Sequence, residues 1–160
     1  MVKRTVCLLV LFSALFPFFV LPVYAVQKIT AEDVSKAIQD SLPTPFGYVD
    51  NTSYTLSHKL ASLSSAEEAF IVVCAESTNF SEFGVFYVAD ARQLKQYKAI
   101  LGNYLEERKQ EFKNGVIYNA EEYPKFEHAA VFAYDHYVFY TILNKEQQKI
   151  ALTAVKQLLK

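Results

Sequence analysis

The sequence predicts an α+β domain: an antiparallel four-stranded sheet built from two strand-strand-helix units, preceded by an N-terminal helix. Three observations carry that expectation. Two pairs of short β-branched or aromatic runs, AFIVVCAES with EFGVFYVA and later AAVFAY with YVFYTIL, are each separated by a few turn-forming residues. A long helical stripe follows the first pair and a shorter one follows the second. Consecutive hairpins favour antiparallel pairing, with the helices packed across the sheet.

The elements follow in order. MVKRTVCLLVLFSALFPFFVLPVYAVQ reads as a secretory signal: Lys3 and Arg4 form the basic start, Thr5 to Leu21 the apolar body, and Val23-Tyr24-Ala25 a cleavage site used after Ala25. The rival is an uncleaved anchor, because the apolar run nears the roughly 20 residues that span a bilayer. Pro17 and Pro22 disfavour a continuous helix there, and Cys7 comes too early, with no lipobox before it, for a lipid anchor. Residues 26–160 then form a single α+β domain. Within it, Thr30 followed by Asp33 caps a first helix through Val34, Ala37, Ile38 and Leu42. PTPFGYVDN breaks that helix, and Leu56, Leu60 and Leu63 mark a short second one.

After the first hairpin, Asp90 caps a long helix whose stripe runs Leu94, Tyr97, Leu101, Tyr104, Leu105, Arg108, Phe112, and Asn114-Gly115 stops it. VIYNAEEYPKFEH connects to the second hairpin with room for one helical turn. Asn144 with Gln147 caps a last helix through Ala151, Val155 and Leu158.

Composition excludes several functions. Without Lys3 and Arg4, 14 of the 16 basic residues remain against 17 acidic ones, a net charge of −3, too mild and mixed for nucleic acid as a partner. Cys74 is the one cysteine after the signal. No intrachain disulfide can form, and its apolar neighbours predict an inert buried thiol. No cofactor and no metal are expected: glycine at only four positions leaves no phosphate-cradling loop, and no Cys/His cluster has zinc spacing.

EFGVFYVADARQLKQYKAILGNYLEERKQEFK followed by IYNAEEYPKFEHAAVFAYDHYVFYTIL resembles the bacterial exported family catalogued as domain of unknown function 4358. The likeness covers about Thr30 to Lys160 and rests on layout, not on a catalytic signature. It implies an exported start, a strand feeding a long helix, a Tyr-containing connector, and a hairpin before a terminal helix. It implies no activity, cofactor or catalytic residue. The chain departs from the family in lacking a lipobox and in having Asp135-His136, where a glycine is usual, at the last bend.

The stretch FEHAAVFAYDHYVFYTIL holds two of the three histidines and most resembles a site. With Asp135 and His136 as the central turn residues, Tyr134 faces Tyr137, Phe132 faces Phe139 and Ala130 faces Thr141. His128 at the start of the first strand lies about 25 Å from His136 at the tip, too far for one metal. The tip therefore reads as a solvated bend. Glu106, Glu107, Arg108, Lys109 and Glu111 read as a charged outer face, and Glu67-Glu68 and Glu121-Glu122 as surface pairs.

Both surfaces of both hairpins are apolar, so both faces of the sheet need cover. The long and terminal helices are expected on one face, the first helix and the Leu56–Leu63 segment on the other. Failing that cover, Phe132, Tyr134, His136, Tyr137 and Phe139 would form a surface for an envelope or extracellular protein, a peptide or a second copy. The resulting expectation is an exported binding or regulatory module of the bacterial cell envelope, touching membrane only if the signal is kept. Its rivals are an envelope hydrolase using His58, His128 or His136 with nearby acids, and an inhibitor of a secreted protease.

Overall fold

The computed structural model describes residues 28–43, 47–115 and 119–160. The signal over residues 1–25, with its cleavage at Ala25, lies outside the described residues.

Local chemistry sets the helix ends. Helix α1 (Ala31–Ser41) starts at Thr30, whose hydroxyl accepts from Asp33 N while the Asp33 carboxylate accepts from Thr30 N, a reciprocal capping box. Helix α5 (Lys145–Leu158) starts with the same box, built from Asn144 and Gln147. Asp90 caps a 3-10 turn (Ala91–Gln93), and helix α3 (Leu94–Asn114) continues from it. Gly115 ends α3 in an extended conformation, φ −71°, and not in the left-handed one expected of a glycine stop. Helix α2 (Thr52–His58) with a 3-10 turn (Ala61–Leu63) and helix α4 (Tyr123–Glu127) fill the two connectors.

Among the described residues the sheet has five antiparallel strands, not four: β1 (Tyr48–Asp50), β2 (Glu68–Cys74), β3 (Glu82–Tyr87), β4 (Ala130–Tyr134) and β5 (Tyr137–Ile142), in the order β1-β2-β3-β5-β4. The extra strand is three residues long and follows Gly47, φ +74°, a positive value that glycine adopts freely. So short a run has no alternation to read, and pairing with β2 (Tyr48 opposite Cys74) is what makes it a strand. Both hairpins fall where the sequence puts them. The second has the expected register, with Asp135 at φ 51° in the bend.

Helices cover both faces. Phe86 and Phe83, three apart on β3 and both 0% exposed, point to opposite sides. Phe86, Ile71, Val138, Tyr140 and Ile142 pack under α3 with Leu60 and Leu63. Phe83, Val85, Val72, Tyr137 and Phe139 pack under α1 and α5. The layering corrects the expected one: α3 shares its face with the Leu56–Leu63 segment, and α1 lies beside the terminal helix. Glu68 at the start of β2 pairs with Lys28 at 2.7 Å and accepts from Ala31 N at 2.9 Å, which ties the start of α1 to the sheet. Val34 and Ile38 of α1 are buried in one apolar cluster with Ala151 and Val155 of α5, and that shared burial sets the two helices side by side.

Candidate functional site

The residues expected to form a partner surface split into two groups. Tyr137 and Phe139 are 4% and 2% exposed and belong to the core beneath α1 and α5. The Tyr137 hydroxyl donates to the carbonyl of Ile29, and its ring meets Tyr87 edge-on at 5.5 Å. Lys28 Nζ sits 3.7 Å over the Tyr87 ring while paired to Glu68, the cross-strand partner of Tyr87. The chain's own segment from Lys28 therefore covers the face that a partner would otherwise take. Phe132, Tyr134 and His136 remain half-buried on β4 and the bend, with Phe132 stacked on Phe139 at 5.5 Å.

The histidines occupy separate elements. His136 Nδ1 lies 3.0 Å from the carbonyl oxygen of Val88, and Asp135 is 4.0 Å from its Nε2. His128 is exposed and terminates α4, so it precedes β4 and does not start it. His58 ends α2, stacked on Tyr54 at 4.5 Å. Its Nδ1 lies 2.7 Å from Ser57 Oγ, the nearest approach to a nucleophile-base pair among the described residues. The same Nδ1 is 3.0 Å from the carbonyl of Tyr54, and Ser57 Oγ donates to the carbonyl of Ser53 at 2.7 Å. Both groups are satisfied by the preceding helical turn, the usual local back-bonding of such residues. They are also exposed, and among the described residues no carboxylate bonds the His58 ring. Among the described residues no three His, Cys, Asp or Glu side chains converge to hold an ion.

The strongest electrostatic feature is one that the sequence reading did not single out. Glu82 opens β3 with its side chain 3% exposed. Its Oε1 accepts from the hydroxyls of Tyr104 and of Tyr140, the latter at 2.6 Å. Its Oε2 accepts from Arg108 Nε at 3.2 Å and Nη2 at 3.1 Å. Arg108 also bonds Glu111 at 3.0 Å, and Glu111 pairs with Lys59. Burial, then the Glu82 charge, pushes both phenols far above their ordinary range. Burial acts to lower the Arg108 pKa, but the attraction of Glu82 outweighs it and the guanidinium stays charged.

Four donors saturate the Glu82 carboxylate, so it has no lone pair in reach of a substrate and works as an internal clamp between β3, β5 and α3. Gly84 makes room for it: a Cβ there would collide with Tyr140 Cε1 and come 3.0 Å from Ile71. The available signal was Arg108 itself. An arginine inside an otherwise apolar stripe needs a buried acceptor.

One member of each acid pair expected on the surface is engaged, while Glu67 and Glu121 stay exposed. Glu68 is tied to Lys28. Glu122 bonds the buried Lys125 at 2.6 Å and accepts from Phe80 N at 2.8 Å. A cleft of about 340 Å³ lies between these networks, lined by Phe80, Arg108, Phe112 and Phe126. Cys74 is buried opposite Tyr48, whose phenol is pushed up to about 12 by burial and then by that thiol.

The family model described as a domain of unknown function (DUF4358) matches residues 62–143. The chain belongs to that family. The matched segment holds both hairpins, α3, α4 and the whole Glu82 clamp, and it is narrower than the span of the resemblance seen in the sequence. Helices α1 and α5, which cover the second face, lie outside it. No curated protein and no solved structure matches the chain.

Proposed function

We propose that this protein is an exported, non-catalytic binding or regulatory module of the bacterial cell envelope. Its N-terminus has the basic, apolar and small-residue order of a secretory signal. The observation that carries the non-catalytic half is the disposition of its titratable groups. The three imidazoles sit on separate elements, those of His58 and His136 against backbone carbonyls and that of His128 exposed, and the buried carboxylate Glu82 is filled by its own phenols and guanidinium. A hydrolase needs at least two such groups converging on a cleft with bonding capacity left over.

The test has two arms. Fractionation of producing cells should place the protein outside the cytoplasm with an intact mass for residues 26–160. Full-length protein in the cytoplasm would refute the export half. Replacing His58, His128 and His136 together by alanine should leave the phenotype of a deletion strain fully complemented. Loss of complementation by a folded triple variant would revive the hydrolase.

A further inference from the structure

Strand β4 is an edge of the sheet, and among the described residues no strand pairs with its outer side. The two-residue bend makes Tyr134 and Tyr137 a mutually hydrogen-bonded pair, so bonding alternates away from it along the ladder. Phe132 and Ala130 therefore bond inward to β5, while Val131 and Ala133 point their N–H and C=O groups outward. No hydrogen bond from another element reaches those outward groups among the described residues. Natural edges are usually blunted by charge, proline, a bulge or shortness. The opposite edge, β1, is three residues long and ends in Asp50. Strand β4, Ala-Val-Phe-Ala-Tyr, carries none of these devices.

The edge lies in a cleft of about 420 Å³ with a lysine on each wall: Lys98 from α3 on one face, Lys156 and Leu152 from α5 on the other. Both lysines are exposed, and neither has a hydrogen-bonding or ionic partner among the described residues. The geometry points to β4 as the docking edge for an extended acidic peptide segment, bound by strand addition. This rests on the reading of the protein as a binding module and names the chemistry of its partner. Main-chain bonds to Val131 and Ala133 supply the pairing, and the two lysines select charge. Adjacent side chains of a strand point to opposite faces, so two consecutive acids would reach Lys98 and Lys156 together. A second copy pairing β4 to β4 would instead bring four lysines to one seam. Like charges across a seam disfavour it.

The test uses the isotopically labelled protein and the hexapeptide Thr-Val-Glu-Glu-Val-Thr, with versions carrying Lys-Lys or Gln-Gln at the centre. The acidic peptide should shift the amide signals of Val131 and Ala133, and the Lys-Lys peptide should not. Lys98→Glu with Lys156→Glu should weaken acidic binding by about tenfold or more, two exposed pairs being lost and reversed. Added salt should weaken it too. Ala133→Pro should abolish binding while leaving the ladder to β5 intact, because the removed N–H faces outward.

Equal binding of the acidic and basic peptides, or no movement of those amides with any peptide, would overturn the assignment. Concentration-dependent shifts of the same amides without peptide would do so as well, by making a second copy the occupant. Failure here with export intact removes only the docking edge. Cytoplasmic protein that still binds the peptide removes the envelope reading and leaves the edge.

Discussion

Replacing Arg108 with methionine isolates the clamp on Glu82. The guanidinium supplies both donors to Oε2, at 3.1 and 3.2 Å, and the carboxylate is only 3% exposed. Without it a buried charge keeps two phenol donors and loses its counter-ion. Removing one partner of a buried pair costs about 3–5 kcal/mol. The Arg108 side chain is 24% exposed, so water reaches the vacated position and the lower end, about 3 kcal/mol, is expected. In urea, with a slope of about 1.5 kcal/mol per molar for a domain this size, that moves the midpoint down by about 2 M. Adding Glu82→Gln removes the orphaned charge, so the double variant should be more stable than the sum of the single effects by about 1–3 kcal/mol. Urea titrations at pH 7 of the four proteins in the cycle give these values. A single-variant loss under about 0.5 kcal/mol, the size of an exposed pair, would refute the clamp. An additive double variant would refute it equally.

Gly84→Ala should cost about 1–3 kcal/mol, because the new methyl drives the Tyr140 ring away from Glu82; thermal melts showing no loss would mean the ring has room to move. Tyr104 and Tyr140 are held protonated in the folded chain, so their contribution is fully present below pH about 10 and is lost as pH rises through the folded values. Tyrosinate absorbance should therefore show these phenols ionising together with alkaline unfolding, and their ionisation in a still-folded protein would contradict their burial. Tyr137→Ser should lower stability by about 3 kcal/mol or more as a core truncation, whereas Tyr134→Ser on the half-buried edge should cost about 1 kcal/mol; equal losses by calorimetry would show that the two residues share one environment.

The sequence by itself determined the elements whose causes are local. The capping boxes at Thr30 and Asn144 need only three residues each, and the register of β4 on β5 follows from a two-residue bend at Asp135-His136. Only the tertiary structure decided the fifth strand, the pairing of α1 with α5, and the sharing of Glu82 by Tyr104, Tyr140 and Arg108. Glu82 and Tyr140 are 58 positions apart, and neither is unusual in its own stretch. Their meeting depends on β3 choosing β5 as its neighbour, a choice that leaves β4 at the edge. Short-range pattern sets which backbone bonds form nearby. Which faces then meet depends on how the whole chain buries two apolar surfaces at once, and no single stretch of residues contains that information.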